Sequence, residues 1–504
     1  MTVAMRGDGA PAAIGGDALV VTAFQEELGP AAGEVDAALN GELAGMMSSH
    51  ELRGRFGEVT VLAAPAGVAA GRVVVLGLGD RAVLDTFRLH NAYTLAGREL
   101  RRRRLTRVVL AADVTLAGSA VPDTAALLRA MMTGTLVANH EAGVRKSNPD
   151  IAPVIEEVVV AGVDGAAGDS VDEALADAVL LAESTLRVKR WVSAPSNTLT
   201  PTLLAAEVTE LCAGSTLSVE VMDRDALEAA GAGALLGIAR GSDEEPVMVI
   251  VRHRGGVDTD IGRTLALVGK GITFDTGGIS IKPALRMEMM KSDMGGGAAV
   301  LAAMHAIEAL QVPCNVVGIV PATENMPGGR ALKPGDVVTA LDGTTIEVVN
   351  TDAEGRVVLA DGLAMARKLG ATHIVDVATL TGAAVVALGH VNAALMTSDP
   401  ELAQLVQRAA HQAGDRFAEL PMHPEYDVCL RSDVADVRNW GGREAGAISG
   451  GVFVRAFSGG LPWVHLDIAG TVWNDQSNLK EIPDGPSGAP VRTLVWLARL
   501  FARG

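Results

Sequence analysis

An α/β protein of two domains is what the sequence predicts, each a mixed sheet flanked by helices, joined by a long helix, with the candidate catalytic residues in the C-terminal one. Three observations carry this. Valine-rich runs of strand length alternate with helix-length apolar periodicities along the chain, as strands linked through helices do. The chain has 504 residues, more than one typical core holds, and 49% of them are hydrophobic, enough to fill two. A long helical stretch, VDEALADAVLLAESTLRVKRWVS, divides the two series. The expected boundaries are 1–170 for the N-terminal α/β domain, 171–193 for the linking helix and 194–504 for the catalytic domain.

In chain order, strands are expected at ALVV from Ala18, VTVLAA from Val59, RVVVLGL from Arg72 and RVVLAA from Arg107. A helix follows at TAALLRAMMTGTLVANHE, 124–141, and another strand at 155–163. After the linking helix, APSNTLTP at 194–201 is Pro- and Asn-rich punctuation before the alternation resumes. Aromatic residues make up only 3% of the chain, so Ala, Val, Leu and Ile must build the cores. VLGLGD at 75–80 lacks the third glycine of a dinucleotide loop and reads as a strand end.

A net charge of −18 argues against nucleic acid or an anionic membrane as partner, because phosphates would be repelled. The one basic run, RELRRRR at 98–104, is expected to be the solvated face of a helix end. Cys212, Cys314 and Cys429 match neither a disulfide framework nor a paired metal site, which fits a reducing, cytoplasmic setting. Asp8, Pro11 and Asp17 interrupt the N-terminus before an apolar core of signal length develops. The longest uncharged stretch, 378–396, contains Gly382, Gly389, His390 and Asn392 and is expected to be buried interior instead of a membrane span. GKG at 269–271 fails as a phosphate loop, since Thr264 stands where glycine is needed and Gly271 where Ser or Thr would hold magnesium. Ten histidines show no paired metal spacing, and His465 is expected to be structural.

The chemistry concentrates in three segments. NTDAEGRVVLADGL at 350–363 pins Asp352 and Glu354 between the strand-like TTIEVV and the helix-like VVLADGLAMARKLG. On a turn leaving a strand, both carboxylates can converge on one divalent cation beyond the sheet's carboxyl edge. Upstream, ALVGKGITFDTGG and IKPALRMEMMKSDM supply Lys270, Asp275, Lys282 and Asp293. Plainer roles stand beside this one. Asp352 and Asp293 each precede a helix they could cap, Glu354 could complement a helix dipole, Lys270 could pair with an acid, and so could Arg356.

VGKGITFDTGG, KSDMGGGAAV and NTDAEGR, followed in order by ATLTGAAVVALG, NWGGREAGAISGGVF and HLDIAG, resemble the leucyl aminopeptidase family, the cytosol aminopeptidases. Thr276 stands where that family often has serine. The N-terminal part carries no comparable motif and is assigned by its place in the family's architecture.

The resemblance implies two divalent metal ions per subunit, Mn2+ or Zn2+, bridged by Asp275 and Glu354. Lys270 and Asp293 would complete one site and Asp352 the other, with Lys270 as a neutral amine. Carboxylate-bridged cations of this kind activate a shared water and clamp the attacked carbonyl. Lys282 would face the developing oxyanion, and Arg356 would hold bicarbonate as general base. Met290, Asn350, Thr379, Leu380, Gly382 and Ala469 match positions lining the family's substrate cleft. The implied function is removal of N-terminal residues, leucine-like ones preferentially, from peptides with a free amino terminus, by a homohexamer. Two alternatives use the same sequence features: a two-metal phosphoesterase sharing the carboxylates, and a non-enzymatic nucleic-acid-binding scaffold resting on the arginine run.

Overall fold

Runs of Val, Leu and Ala without charge set the central strands, because such residues fill a pleated surface buried on both faces. A computed structural model gives the structure and describes residues 3–63, 65–141, 145–147, 150–163, 168–255, 262–476 and 478–503. The chain divides into two units, one of Met1–Leu186, His411–Asp415 and Asp475–Asp484, the other of Arg187–Ala410, Arg416–Asn474 and Gly485–Gly504.

The first unit is built on β1 (Val3–Arg6), β2 (Ala18–Phe24), β3 (Glu27–Leu28), β4 (Val59–Ala63), β5 (Arg72–Gly77), β6 (Arg107–Ala111) and β7 (Glu157–Ala161). The order is β1-β7-β6-β2-β5-β4, parallel except for β4, and β3 returns on β2 as a hairpin. Every strand expected there is present. The expected helix spans Thr124–Val137 and packs on Thr86–Arg102. In the arginine run the expectation of a solvated face needs correction. Arg102, Arg103 and Arg104 are solvated, but Arg101 is buried and donates to the carbonyls of Ala138, His140, Ala152 and Pro153. One guanidinium fork thus gathers four loop carbonyls. The linking helix runs from Gly168 to Ser193.

The second unit holds β8 (Ser218–Met222), β9 (Val247–Arg254), β10 (Thr264–Gly269), β11 (Gly271–Asp275), β12 (Asn315–Asn325), β13 (Asp336–Thr339), β14 (Thr345–Val348), β15 (His373–Ala378), β16 (Ala393–Thr397), β17 (Phe417–Glu419), β18 (Val437–Arg438) and β19 (Trp463–Asp467). Its main sheet runs β17-β16-β19-β15-β10-β12-β9-β8, with β11 on β12, and is mixed: β12, β10, β15 and β19 lie parallel. The β13-β14-β18 sheet stands apart. Ala266 and Val268 of β10 pack with Val357, Val358 and Leu359 of the helix Glu354–Lys368, while the helix Gly295–Ala309 also packs on β10, β12 and β15.

Residues 378–396 are not uniformly interior. The short helix Gly382–Leu388 leaves Val386 89% exposed, because it lies on the rim of the strand ends and not under them. Among the described residues no helix is long and apolar enough to cross a membrane.

Candidate metal centre

Strand ends supply the site. Lys270 follows β10, Asp275 ends β11, Thr379 follows β15 and Asp467 ends β19, so all four lie at the carboxyl edge of the parallel strands, where open α/β sheets place ligands. Glu354 enters at the first turn of its helix. Asp293 lies between the short helix Met287–Ser292 and the helix Gly295–Ala309.

The capping roles open to these acids are not the ones they play, since neither Glu354–Lys368 nor Gly295–Ala309 has a side-chain cap. Instead they meet the lysines. Lys270 Nζ lies 2.7 Å from Glu354 Oε1, 2.8 Å from Asp293 Oδ1 and 3.1 Å from the Thr379 carbonyl. Lys282 Nζ lies 2.7 Å from Asp275 Oδ2 and contacts Asp352 Oδ1. Glycine makes this approach possible: a Cβ on Gly355 would stand 2.5 Å from Lys270 Cε, and one on Gly277 2.8 Å from Asp352 Oδ1.

Burial dominates the electrostatics. It raises the Asp293 carboxyl to about 8, with Glu354 and Asp275 adding to the rise and Lys270 opposing it. Asp275 is raised to about 6 by burial and by Glu354, and Asp352 moves up for the first of these reasons. Burial also opposes the Glu354 charge, but Lys270 and Lys282 outweigh it and hold this carboxyl below its usual range. Both lysines resist desolvation through their acid neighbours and stay above the ordinary lysine value.

The donor set fits divalent cations. Oxygens of Asp275, Asp293 and Glu354 all lie within 4.8 Å of one another. Four carboxylates face two ammonium groups, so the cluster keeps an acidic excess. Asp293 Oδ2 and Asp352 Oδ1 are buried and accept no hydrogen bond, although each lies beside a lysine ammonium. Hard carboxylate oxygens without a thiolate suit Mn2+ or Zn2+, whereas Lys270, held as an ammonium by Asp293 and Glu354, would add its nitrogen only once a bound cation displaces its proton. The expected bicarbonate would need a donor, and Arg356 has one to give. Arg356 is buried, gives Nη1 to the Asn439 carbonyl at 3.0 Å, and has no partner at Nε.

Of the residues expected to line a substrate cleft, Thr379 donates its hydroxyl to Asp293 Oδ1 at 2.7 Å, and the Asn350 side chain accepts from the Asp352 amide at 2.9 Å. Leu380 and Ala469 share an acceptor, Asp467 Oδ1, each at 3.1 Å. Gly382 opens its helix with free space at its Cβ position, and Met290 lies in the helix just before Asp293. His465 pairs with Asp376 at 2.5 Å across β15 and β19, both fully buried, and Trp463 donates to the same carboxylate.

Three supports escaped the sequence reading. Asn325 donates to Asp275 Oδ1 and to the Thr351 carbonyl. Asn439 accepts from the amides of Val349 and Asn350 and donates to the carbonyls of Asn350 and Ala353, bracing the loop that carries Asp352. Asp467 is the third. Asn439 and Asp467 fall within the quoted motifs NWGGREAGAISGGVF and HLDIAG, which was the available signal; Asn325 offered none.

Fold and site together place the chain among α/β enzymes with a carboxylate-rich cation centre. Residues 187–495 match the cytosol aminopeptidase family, catalytic domain, and residues 20–149 its N-terminal domain. A probable cytosol aminopeptidase of Solibacter usitatus is 42% identical, over 96% of each chain. One of Acidobacterium capsulatum is 39% identical, over 93% of this chain and 91% of that one. Among solved structures, the bottromycin maturation enzyme BotP in complex with Mn superposes with a TM-score of 0.83 at 34% identity, covering 97% of this chain and 100% of that one. A tomato leucine aminopeptidase mutant gives 0.88 at 30% identity, covering 99% and 96%. The chain belongs to the cytosol aminopeptidase family, and it is a peptidase.

Proposed function

We propose that this peptidase removes N-terminal residues, leucine-like ones preferentially, from peptides with a free amino terminus, using two divalent ions. The observation that carries the reading is the convergence of Asp275, Asp293 and Glu354 in a buried cluster with more acid than base. Lys270, Asp275, Asp293, Asp352 and Glu354 would hold Mn2+ or Zn2+, which supply Lewis-acid activation of the scissile carbonyl and of water.

The chain's own groups do the rest. The substrate's free amine, in its neutral form, would be received at this cluster, which places the first peptide bond there. Lys282, 20% exposed at its side chain, is a cation that can turn toward charge developing on the carbonyl oxygen, an interaction made chiefly in the transition state. Arg356 would hold bicarbonate through its unpartnered Nε, and that anion would supply a general base. Met290, Asn350, Thr379, Leu380, Gly382 and Ala469 line the cleft that receives the side chain. We propose also that the chain works in the cytoplasm as a homohexamer, as the family resemblance implies.

The test compares kcat/KM for leucyl-p-nitroanilide with that for its N-acetyl derivative. Acetylation removes the amine's basicity and adds bulk where the cluster lies. The free-amine substrate should be cleaved and the acetylated one should not; similar values would falsify the exopeptidase reading.

A further inference from the structure

Where β15 and β19 end side by side, with Ala378 in register with Asp467, the chain divides into two loops. One carries Thr379, Leu380 and Thr381, the other Ile468 and Ala469. Asp467 stands in the fork and holds both. Its Oδ1 accepts from the amides of Leu380 and Ala469 at 3.1 Å each, and its Oδ2 accepts from the Thr381 hydroxyl at 2.7 Å. The side chain is fully buried. The Thr381 hydroxyl in turn accepts from the Ala384 amide and so starts the helix Gly382–Leu388.

A single oxygen accepting two amides fixes the distance between the loops that give them. One of those loops touches the metal centre directly: Thr379 accepts from Lys270 Nζ through its carbonyl and donates to Asp293 Oδ1 through its hydroxyl. We propose that Asp467 is a positioning residue, which sets the separation of Leu380 and Ala469 and thereby which N-terminal side chain the cleft accepts. This rests on the reading of Leu380 and Ala469 as cleft walls. Removing the carboxylate leaves two amides without their acceptor, and the loops must shift to find water. Asparagine keeps an oxygen for both amides and gives Thr381 a donor, so it should preserve the spacing.

The experiment measures kcat/KM for leucyl- and alanyl-p-nitroanilide and takes their ratio, which partial inactivation cannot move. Asp467→Ala should lower the leucine-to-alanine ratio by about tenfold, the scale on which an apolar pocket reads its side chain, mainly through KM for the leucyl substrate. Asp467→Asn should restore it. If Asp467→Ala does not fold, Asp467→Ser, whose hydroxyl is too short to reach both amides, should shift the ratio in the same direction. A wild-type ratio in the folded Ala or Ser variant overturns the proposal, as does an Asn variant as impaired as Ala. Wild-type enzyme that cleaves both substrates without preference shows that these walls do not read the side chain. Wild-type enzyme that cleaves neither removes the aminopeptidase reading and this inference with it.

Discussion

Both units of this chain present the carboxyl ends of parallel strands, yet among the described residues only the second gathers a buried cluster of acids and lysines there. Beyond β2 and β5 of the first unit lies a cavity of about 1030 Å³, lined by Arg53, Arg55 and Arg81 among Glu26, Glu27 and Asp80. Its charges are wet: Arg81 and Glu27 pair at 3.6 Å with side chains 40% and 63% exposed. Beyond β10, β11 and β15 of the second unit, Lys270, Asp293 and Glu354 pair at 2.7 Å with side chains 3–8% exposed. An exposed pair is nearly neutral for stability. Charges buried at this depth carry a desolvation cost that packing alone does not require, and such costs concentrate at functional sites. The comparison teaches that buried charge, more than open volume or strand topology, marks the working edge.

The largest test of that contrast removes a buried acid and, separately, a cation beside it. Glu354→Ala should lose the metal ions, and with them more activity than the ~10³-fold that one missing oxyanion donor accounts for. Lys282→Ala should lower kcat by about 10² while metal content stays at the wild-type level. Elemental analysis alongside steady-state kinetics separates the two. Metal retained in the Glu354 variant, or lost in the Lys282 variant, would break the assignment of roles.

A smaller effect follows from protonation. Burial raises Asp275 to about 6 and Asp293 to about 8, so the folded chain holds these protons more tightly than the unfolded chain does. Stability from that protonation is present at low pH and is lost as pH rises through about 8. Cation binding needs the ionised carboxylates and displaces the protons. Affinity for Mn2+ should therefore climb between pH 6 and 8, by up to about tenfold per unit for each proton released, and go on rising above 8 where the Lys270 ammonium is the proton left to displace. Calorimetric titration across that range gives the slope, and a flat profile contradicts the burial argument.

These residues also show what a sequence can reveal. Lys270, Asp275, Lys282, Asp293, Asp352 and Glu354 stood out because acids and lysines crowd three short segments that resemble one family's motifs in the same order, and the structure brings all six together. In the first unit β2, β4, β5, β6 and β7 were legible from apolar runs such as RVVVLGL, while the short β1 and β3 were not. Asn325 was not, because one asparagine at a strand end looks like any turn residue until its partners are known. β18, only Val437–Arg438, pairs with β14 through Ile346 and Glu347 from far along the chain, and two residues carry no periodicity. Arg101 was hidden by its own neighbours, since four consecutive arginines read as one solvated face.

That last residue gives the smallest prediction, within the first unit. Arg101→Ala removes a buried guanidinium that donates to four loop carbonyls and should destabilise by about 2 kcal/mol. Arg104→Ala removes an exposed pair with Asp150 and should change stability by less than about 0.5 kcal/mol. Denaturant midpoints of the two variants decide; equal losses would mean that burial is not what separates them. Neither should alter kcat.

The central claim is that the buried acid cluster is a cation centre on which peptide hydrolysis depends. The direct measurement strips the protein with chelator, confirms by elemental analysis that no metal remains, and returns Mn2+ stepwise while bound ions per chain and leucyl-p-nitroanilide hydrolysis are both recorded. The account predicts no hydrolysis in the stripped protein and recovery that saturates as binding reaches two ions per chain. Full hydrolysis by the stripped protein, or binding of Mn2+ that restores none, would contradict it.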